Sequence, residues 1–270
     1  NFILTPQTIA VSLDEARAQD MWGANDLQKG KQVMVEYTDP NPFKEFHIGH
    51  LMSNATGESI SRLLQFSGAE VKRACYQGDV GLHVAKAIFG VVSNLPEYPK
   101  GLPSDDATPH EKANFWGSAY YMGSDAYEHG FKEEVNTINK KIYEKSDARI
   151  NEIYESGRQD SLEHFEKIYE ILGTKFDHYF FESDTGAFGK KIVAEHPDVF
   201  EKSDGAIVYK GDEAKGLHTR VFINSEGLPT YEAKELGLAK TKYDTYTYDT
   251  SIVITGNEVN DYFRVLRGAM

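Results

Sequence analysis

The residues best suited to chemistry are two histidines held in His47-Ile48-Gly49-His50. Imidazoles beside the free N–H groups that open a helix supply hydrogen-bond donors to an oxygen that gains negative charge. The glycine between them lets backbone and phosphate approach closely. The chemistry this implies is attack on a nucleotide phosphate. Its weight depends on the elements that position the pair.

Gln32-Val33-Met34-Val35-Glu36-Tyr37 is short and rich in β-formers, which predicts a buried strand. Thr38-Asp39-Pro40-Asn41-Pro42 ends it, because proline removes a donor and keeps its predecessor out of the helical region. From Gly49 to Phe66, Leu51, Ala55, Ile60, Leu63 and Leu64 form a helical stripe stopped at Gly68, and Glu70 to Tyr76 gives a second strand. Strand, helix and strand make a βαβ unit, so the histidines sit at a strand-to-helix switch.

The expected fold class is α/β, a Rossmann-like parallel sheet split by a mainly helical insertion. Residues 1–30 are expected as an N-terminal remnant and linker and 31–94 as the first half of the nucleotide-binding fold. The insertion spans 95–200 with its own packing, and 201–270 is the second half. Within the insertion, the stripe from Ile138 to Leu172 predicts two helices, and Phe115, Trp116, Tyr120 and Tyr121 a small core. After it, strands are expected at 206–210, 217–223 and 251–254, with helices at 231–240 and 257–269. Gly186-Ala187-Phe188-Gly189-Lys190-Lys191 lacks P-loop spacing and reads as a turn.

The tetrapeptide after a first strand resembles the signature of class I aminoacyl-tRNA synthetases. The run from Glu36 through Pro40-Asn41-Pro42 and Lys44 to His50 is similar to the arginyl enzymes' pattern of acid, Ser-Pro-Asn, lysine and histidine signature. Gly78-Asp79-Val80-Gly81 resembles their Gly-Asp-Trp-Gly, and Gly227-Leu228-Pro229-Thr230-Tyr231 their Gly-x-Pro-Thr-Tyr. Phe176-Asp177 with Glu182-Ser183 resembles a further segment, and all lie in family order. The resemblance implies ATP-dependent activation of L-arginine and its transfer to tRNA(Arg), with Mg²⁺ accompanying ATP. It implies that His47, His50 and Lys44 act on the phosphates, with Gly49, Gly256 and Glu258 at the nucleotide. Glu36 and Asn41 would orient the backbone groups of arginine, and Glu182, Tyr231 and Glu235 would surround its guanidinium.

A guanidinium is planar, permanently charged and carries five donors, so a selective pocket should offer carboxylates in its plane. Tyr231 and Glu235 lie four apart on a predicted helix and can converge. Acceptors left unpaired by an uncharged amino acid make discrimination large. Taken without the resemblance, Glu235 reads as a solvent-facing helical glutamate and Tyr231 as a core aromatic. Four departures stand out: Glu235 where the family has Asp, Val80 for Trp, Glu258 for Gln and Asp39 for Ser.

A net charge of −13 argues against indiscriminate binding of nucleic acid, since phosphates are held mainly by Lys and Arg, but leaves room for a local tRNA site. One cysteine excludes an internal disulfide framework, and no apolar run reaches the roughly 18–20 residues of a membrane span. A cytoplasmic monomer is expected. The histidines lack clustered Cys or further ligands, so no metal site is expected. Both ends read as cut, in Phe2-Ile3-Leu4 and inside a helix, which suggests a fragment without the second signature loop and anticodon-binding domain. Two alternatives remain: a nucleotidylyltransferase with the same histidine loop, and a tRNA-binding module without chemistry.

Overall fold

The structure, a computed structural model, describes residues 3–93, 95, 101–212, 214 and 216–270. The proposed boundary at 94 and most of the proline-rich stretch after it lie outside the described residues, as do Phe2 and parts of the 211–216 segment.

Four parallel strands form the central sheet: β1 (Gln32–Glu36), β2 (Glu70–Gln77), β3 (His178–Phe181) and β7 (Thr250–Val253), in the order β3-β2-β1-β7. Val33, Met34 and Val35 are all buried, as expected where both faces of a parallel sheet are covered. Helix α2 (Ile48–Phe66) makes the crossover from β1 to β2, confirming the predicted βαβ unit. Gly57 faces the Tyr37 ring so closely that a Cβ would sit 2.2 Å from its Cγ. On the same helix Glu58 accepts from Tyr37 Oη at 2.6 Å and pairs with Arg73 Nε at 2.9 Å, tying α2 to both strands. Burial opposes the charge on Glu58, but bonds from Arg73, Tyr37 and Arg62 outweigh it and pull its pKa to about 2.

The region 95–200 is not one insertion with its own packing. Strand β3 lies inside it and pairs with β2, because Phe180 and Tyr76 pack on the same sheet face. Helices α4 (Pro109–Glu128), α5 (Lys132–Glu144) and α6 (Ala148–Leu172) share one core with α3 (Leu82–Val92), where Ile88 and Phe89 cluster with Trp116, Ile138 and Ile153. The far end of α6 then covers the main sheet, with Phe165 and Tyr169 packed among Val33, Val35 and Tyr37. The expected aromatic core holds for Trp116, Phe115 and Tyr120, whereas Tyr121 is exposed.

Two of the three strands expected after the insertion do not resume the sheet. β4 (Phe200–Ser203), β5 (Ala206–Tyr209) and β6 (Arg220–Ile223) form a separate antiparallel sheet. Asp204 and Gly205 both take positive φ between paired Ser203 and Ala206, the turn that lets two strands reverse over two residues. Only β7 returns to the parallel sheet.

The stretch 186–191 is not a turn but part of α7 (Glu182–Glu195). Its glycines are there for contact: a Cβ on Gly189 would lie 1.7 Å from the Ala233 carbonyl oxygen, and one on Gly237 2.1 Å from that of Thr185. Helices α7 and α8 (Tyr231–Thr245) therefore cross backbone to backbone. At the N-terminus, α1 (Pro6–Ala18) has no buried residue. Helix α9 (Asn260–Ala269) packs Leu266 and Ala269 into the core of the antiparallel sheet. No helix among the described residues is long and apolar enough to cross a membrane.

In chain order the parallel strands run third, second, first, fourth. The order reverses between β1 and β7, and ligands in such sheets bind in the crevice outside the carboxyl ends at that point.

Candidate active site

Two adjoining cavities open at that crevice, of about 470 and 540 Å³. The first is lined by Glu36, Asn41, Glu182, Tyr231 and Glu235, so all five residues expected to hold the amino acid come together. The second is lined by Gly49, Gly256 and Glu258, three of those expected at the nucleotide. Asp39, Thr255 and Glu258 line both and mark the junction.

The loop after β1 is shaped by left-handed backbone at Thr38, Asp39 and Phe43, with φ of 78°, 47° and 66°. Such strain persists only where neighbours over-determine it. Ser53 Oγ accepts from Thr38 N at 2.9 Å, Asp39 Oδ1 from Tyr76 N at 2.7 Å, and Ser161 Oγ from Phe43 N at 2.9 Å. The Phe43 ring packs edge-on against Trp116, 5.1 Å between centroids. The helical block thus anchors the loop that delivers the histidines.

His47 is the N-cap of α2. Its Nδ1 accepts from Gly49 N at 3.1 Å, while His50 Nδ1 accepts from His47 N at 3.2 Å, a capping box built from two imidazoles. A ring nitrogen that accepts carries no proton, so in the neutral rings the hydrogen sits on Nε2 and is free to be donated. The rings stack at 3.8 Å between centroids. Burial, then His47 and Lys44, push His50 down to about pKa 4, so it acts as a neutral donor. Neither ring is in the core: His47 is exposed and His50 half-buried, and neither lines either cavity, though Gly49 between them lines the second. Lys44 is not among the lining residues of either cavity; its ammonium lies 4.9 Å from the centroid of the Tyr120 ring.

Glu182 opens α7, and its placement depends on buried Asp79. That carboxylate accepts from Ser183 N at 2.9 Å, Ser183 Oγ at 2.7 Å, Arg158 Nε at 2.8 Å and Tyr154 Oη at 3.1 Å. The Gly-Asp-Val-Gly segment therefore clamps the start of α7 to α6. Val80, in place of tryptophan, is buried in the core of the helical block.

Sequence reasoning missed two lysines of α8. Lys234 Nζ is 2.6 Å from Glu182 Oε2 and Lys242 Nζ 2.6 Å from Glu36 Oε2, all four side chains buried. Burial works against the charge on Lys234, yet Glu182 outweighs it and holds the ammonium well above its ordinary range. Lys242 is raised by Glu36 against the same penalty. The available signal was that Tyr231–Lys242 is charged on every side yet rich in Ala, Gly and Leu, a pattern of a buried helix that needs internal pairs. Arg220 similarly meets Glu232 at 3.3 Å. Glu235 has no hydrogen-bonding or ionic partner among the described residues, and burial, then Glu36, push it up to about pKa 8. Tyr231 is largely exposed at the rim, its backbone carbonyl accepting from Tyr262 Oη at 3.1 Å.

A cavity with unpaired acids among neutralised pairs can accept cationic groups, and the adjoining helix N-terminus an anion. Among the described residues no group of three His, Cys, Asp or Glu is arranged to hold a metal ion.

Arginine–tRNA ligases of Treponema pallidum and Clostridium perfringens are 27% and 29% identical over 98% and 92% of this chain. The chain spans less than half of their length, 45% and 43%. Arginyl-tRNA synthetase structures from Plasmodium falciparum and Thermus thermophilus share the fold, with TM-scores of 0.69 and 0.62 at 20% and 24% identity. They are matched over 93% and 85% of this chain and 41% and 38% of theirs. The family model for class I tRNA synthetases (R), catalytic domain, matches residues 12–267, and the chain therefore belongs to the arginyl-tRNA synthetase family of class I catalytic domains.

Proposed function

We propose that this chain carries the activation site of an arginine–tRNA ligase. The carboxylate of L-arginine attacks the α-phosphorus of ATP, the bond to the β,γ-diphosphate breaks, and arginyl-adenylate and pyrophosphate form. The arginyl group then passes to the 3′ end of tRNA(Arg). The observation that carries this reading is the convergence of Glu36, Asn41, Glu182, Tyr231 and Glu235 on one cavity that adjoins the His47–His50 helix start.

Glu235 receives the guanidinium, because it is a carboxylate without a described cation partner that lines the first cavity and not the second. ATP occupies the second cavity, which Gly49 of the first turn of α2 lines, and the two Nε2–H donors beside that turn reach the phosphate that gains charge once the nucleotide is bound. Mg²⁺ would accompany ATP and supply counter-charge for its phosphates. Lys44 contributes long-range positive potential rather than a direct contact. A nucleotidylyltransferase would leave Glu182, Tyr231 and Glu235 without a task.

The test is ATP–pyrophosphate exchange with arginine and tRNA(Arg). Exchange is expected with arginine and not with lysine. Exchange driven by another amino acid removes the arginine assignment. Absence of exchange with tRNA binding retained favours a binding module without chemistry.

A further inference from the structure

Charge matching inside the first cavity leaves two carboxylates over. Glu36 and Glu182 are each met by a lysine at 2.6 Å, and Glu232 by Arg220 at 3.3 Å. Glu258 is exposed to solvent. Asp39 and Glu235 have no lysine or arginine within ion-pair distance among the described residues. Their places differ: Glu235 lines the first cavity alone, while Asp39 lines both. One oxygen of Asp39 is fixed by Tyr76 N at 2.7 Å, which leaves Oδ2 unpartnered among the described residues. Burial, then Glu36, push this acid well above its ordinary range, the condition of a carboxylate awaiting a cation.

Arginine has two cationic ends. With its guanidinium on Glu235, its carboxylate must reach the second cavity to meet ATP. The α-ammonium, one carbon from that carboxylate, then lies at the junction that Asp39 helps to form. We propose that Asp39 Oδ2 anchors the α-ammonium of the amino acid, the task first expected of Glu36, whose charge Lys242 already meets. This rests on the arginine reading above and assigns Asp39 as a substrate-positioning residue.

Asp39→Asn separates this role from a structural one. Asparagine keeps the acceptor for Tyr76 N–H and tolerates left-handed backbone, so only the charge is lost. Three probes are titrated calorimetrically on wild type and variant: arginine, agmatine (ammonium and guanidinium, no carboxylate) and 5-guanidinopentanoate (guanidinium and carboxylate, no ammonium). Asp39→Asn is expected to weaken arginine and agmatine about 10–100-fold, the range of a lost charge-assisted hydrogen bond. Binding of 5-guanidinopentanoate should stay within about twofold. Equal weakening of all three, or unchanged binding of arginine and agmatine, overturns the assignment. Asp39→Ser provides the same ratio should the asparagine variant fail to fold. A wild type that binds neither arginine nor agmatine refutes the arginine reading itself, a result distinct from failure at Asp39 alone.

Discussion

His47→Ala is expected to lower the rate of arginine activation about 10²–10³-fold, the scale of one removed donor to a developing oxyanion. Arginine affinity should change less than about twofold, because His47 lies outside the lining of the amino-acid cavity. Alanine also removes the N-cap of α2, which costs about 1 kcal/mol of stability. His47→Asn distinguishes the two effects. Asparagine is a good N-cap but offers no Nε2–H, so the helix should recover and the rate should not. Pre-steady-state adenylate formation and thermal midpoints of both variants check this. A wild-type rate in His47→Asn would mean that the residue acts as a cap alone.

Glu235→Gln and Glu182→Gln are expected to part company, although both line one cavity. Glu235 has no partner to strand, so its glutamine variant should fold normally and lose about 10–100-fold in arginine affinity. Glu182→Gln leaves Lys234 charged and unpaired in a buried position, which costs about 3–5 kcal/mol of stability. Denaturant unfolding beside arginine titration reads both. The pH dependence follows from the pKa of about 8 at Glu235, raised from an ordinary 4.5. Near neutrality the empty pocket holds this acid protonated, and a guanidinium requires it ionised. Arginine binding therefore expels a proton, and affinity rises with pH until about 8, then levels. For the empty protein the sign is opposite. The folded state binds more protons than the unfolded between pH 4.5 and 8, so this group's contribution to stability falls as pH rises through that window. Glu235→Gln should reduce the rise in arginine affinity and leave the part that Asp39 contributes; an unchanged slope would assign the whole titration to another group.

How far the sequence disclosed this molecule depended on the length of each signal. β1, α2 and β2 were legible because strand composition, a helical stripe and turn residues agree over 32–77. β4 escaped because three of the four residues of Phe200–Ser203 are exposed, and β3 because His178–Phe181 runs without a break into α7. The α7 glycines were misread because a glycine that permits helix contact looks, in sequence, like one that permits a turn. The candidate site residues from Glu36 to Glu235 are proposed through family resemblance more than through periodicity. Lys234 and Lys242 were missed because a lysine on a helix is ordinarily solvated, and only the fold reveals that α8 is buried on several sides. Asp39 was visible as a departure from serine, but its place between two cavities required the coordinates.

Citrulline replaces the guanidinium of arginine with a neutral group of nearly the same shape, so the pair isolates the charge on which the pocket argument turns. Calorimetric titration of both into the protein at pH 8 is expected to give at least about 10³-fold tighter binding of arginine, since citrulline offers no charge to the carboxylate of Glu235. Comparable affinities for the two amino acids would contradict the assignment of this acid-lined cavity to a guanidinium.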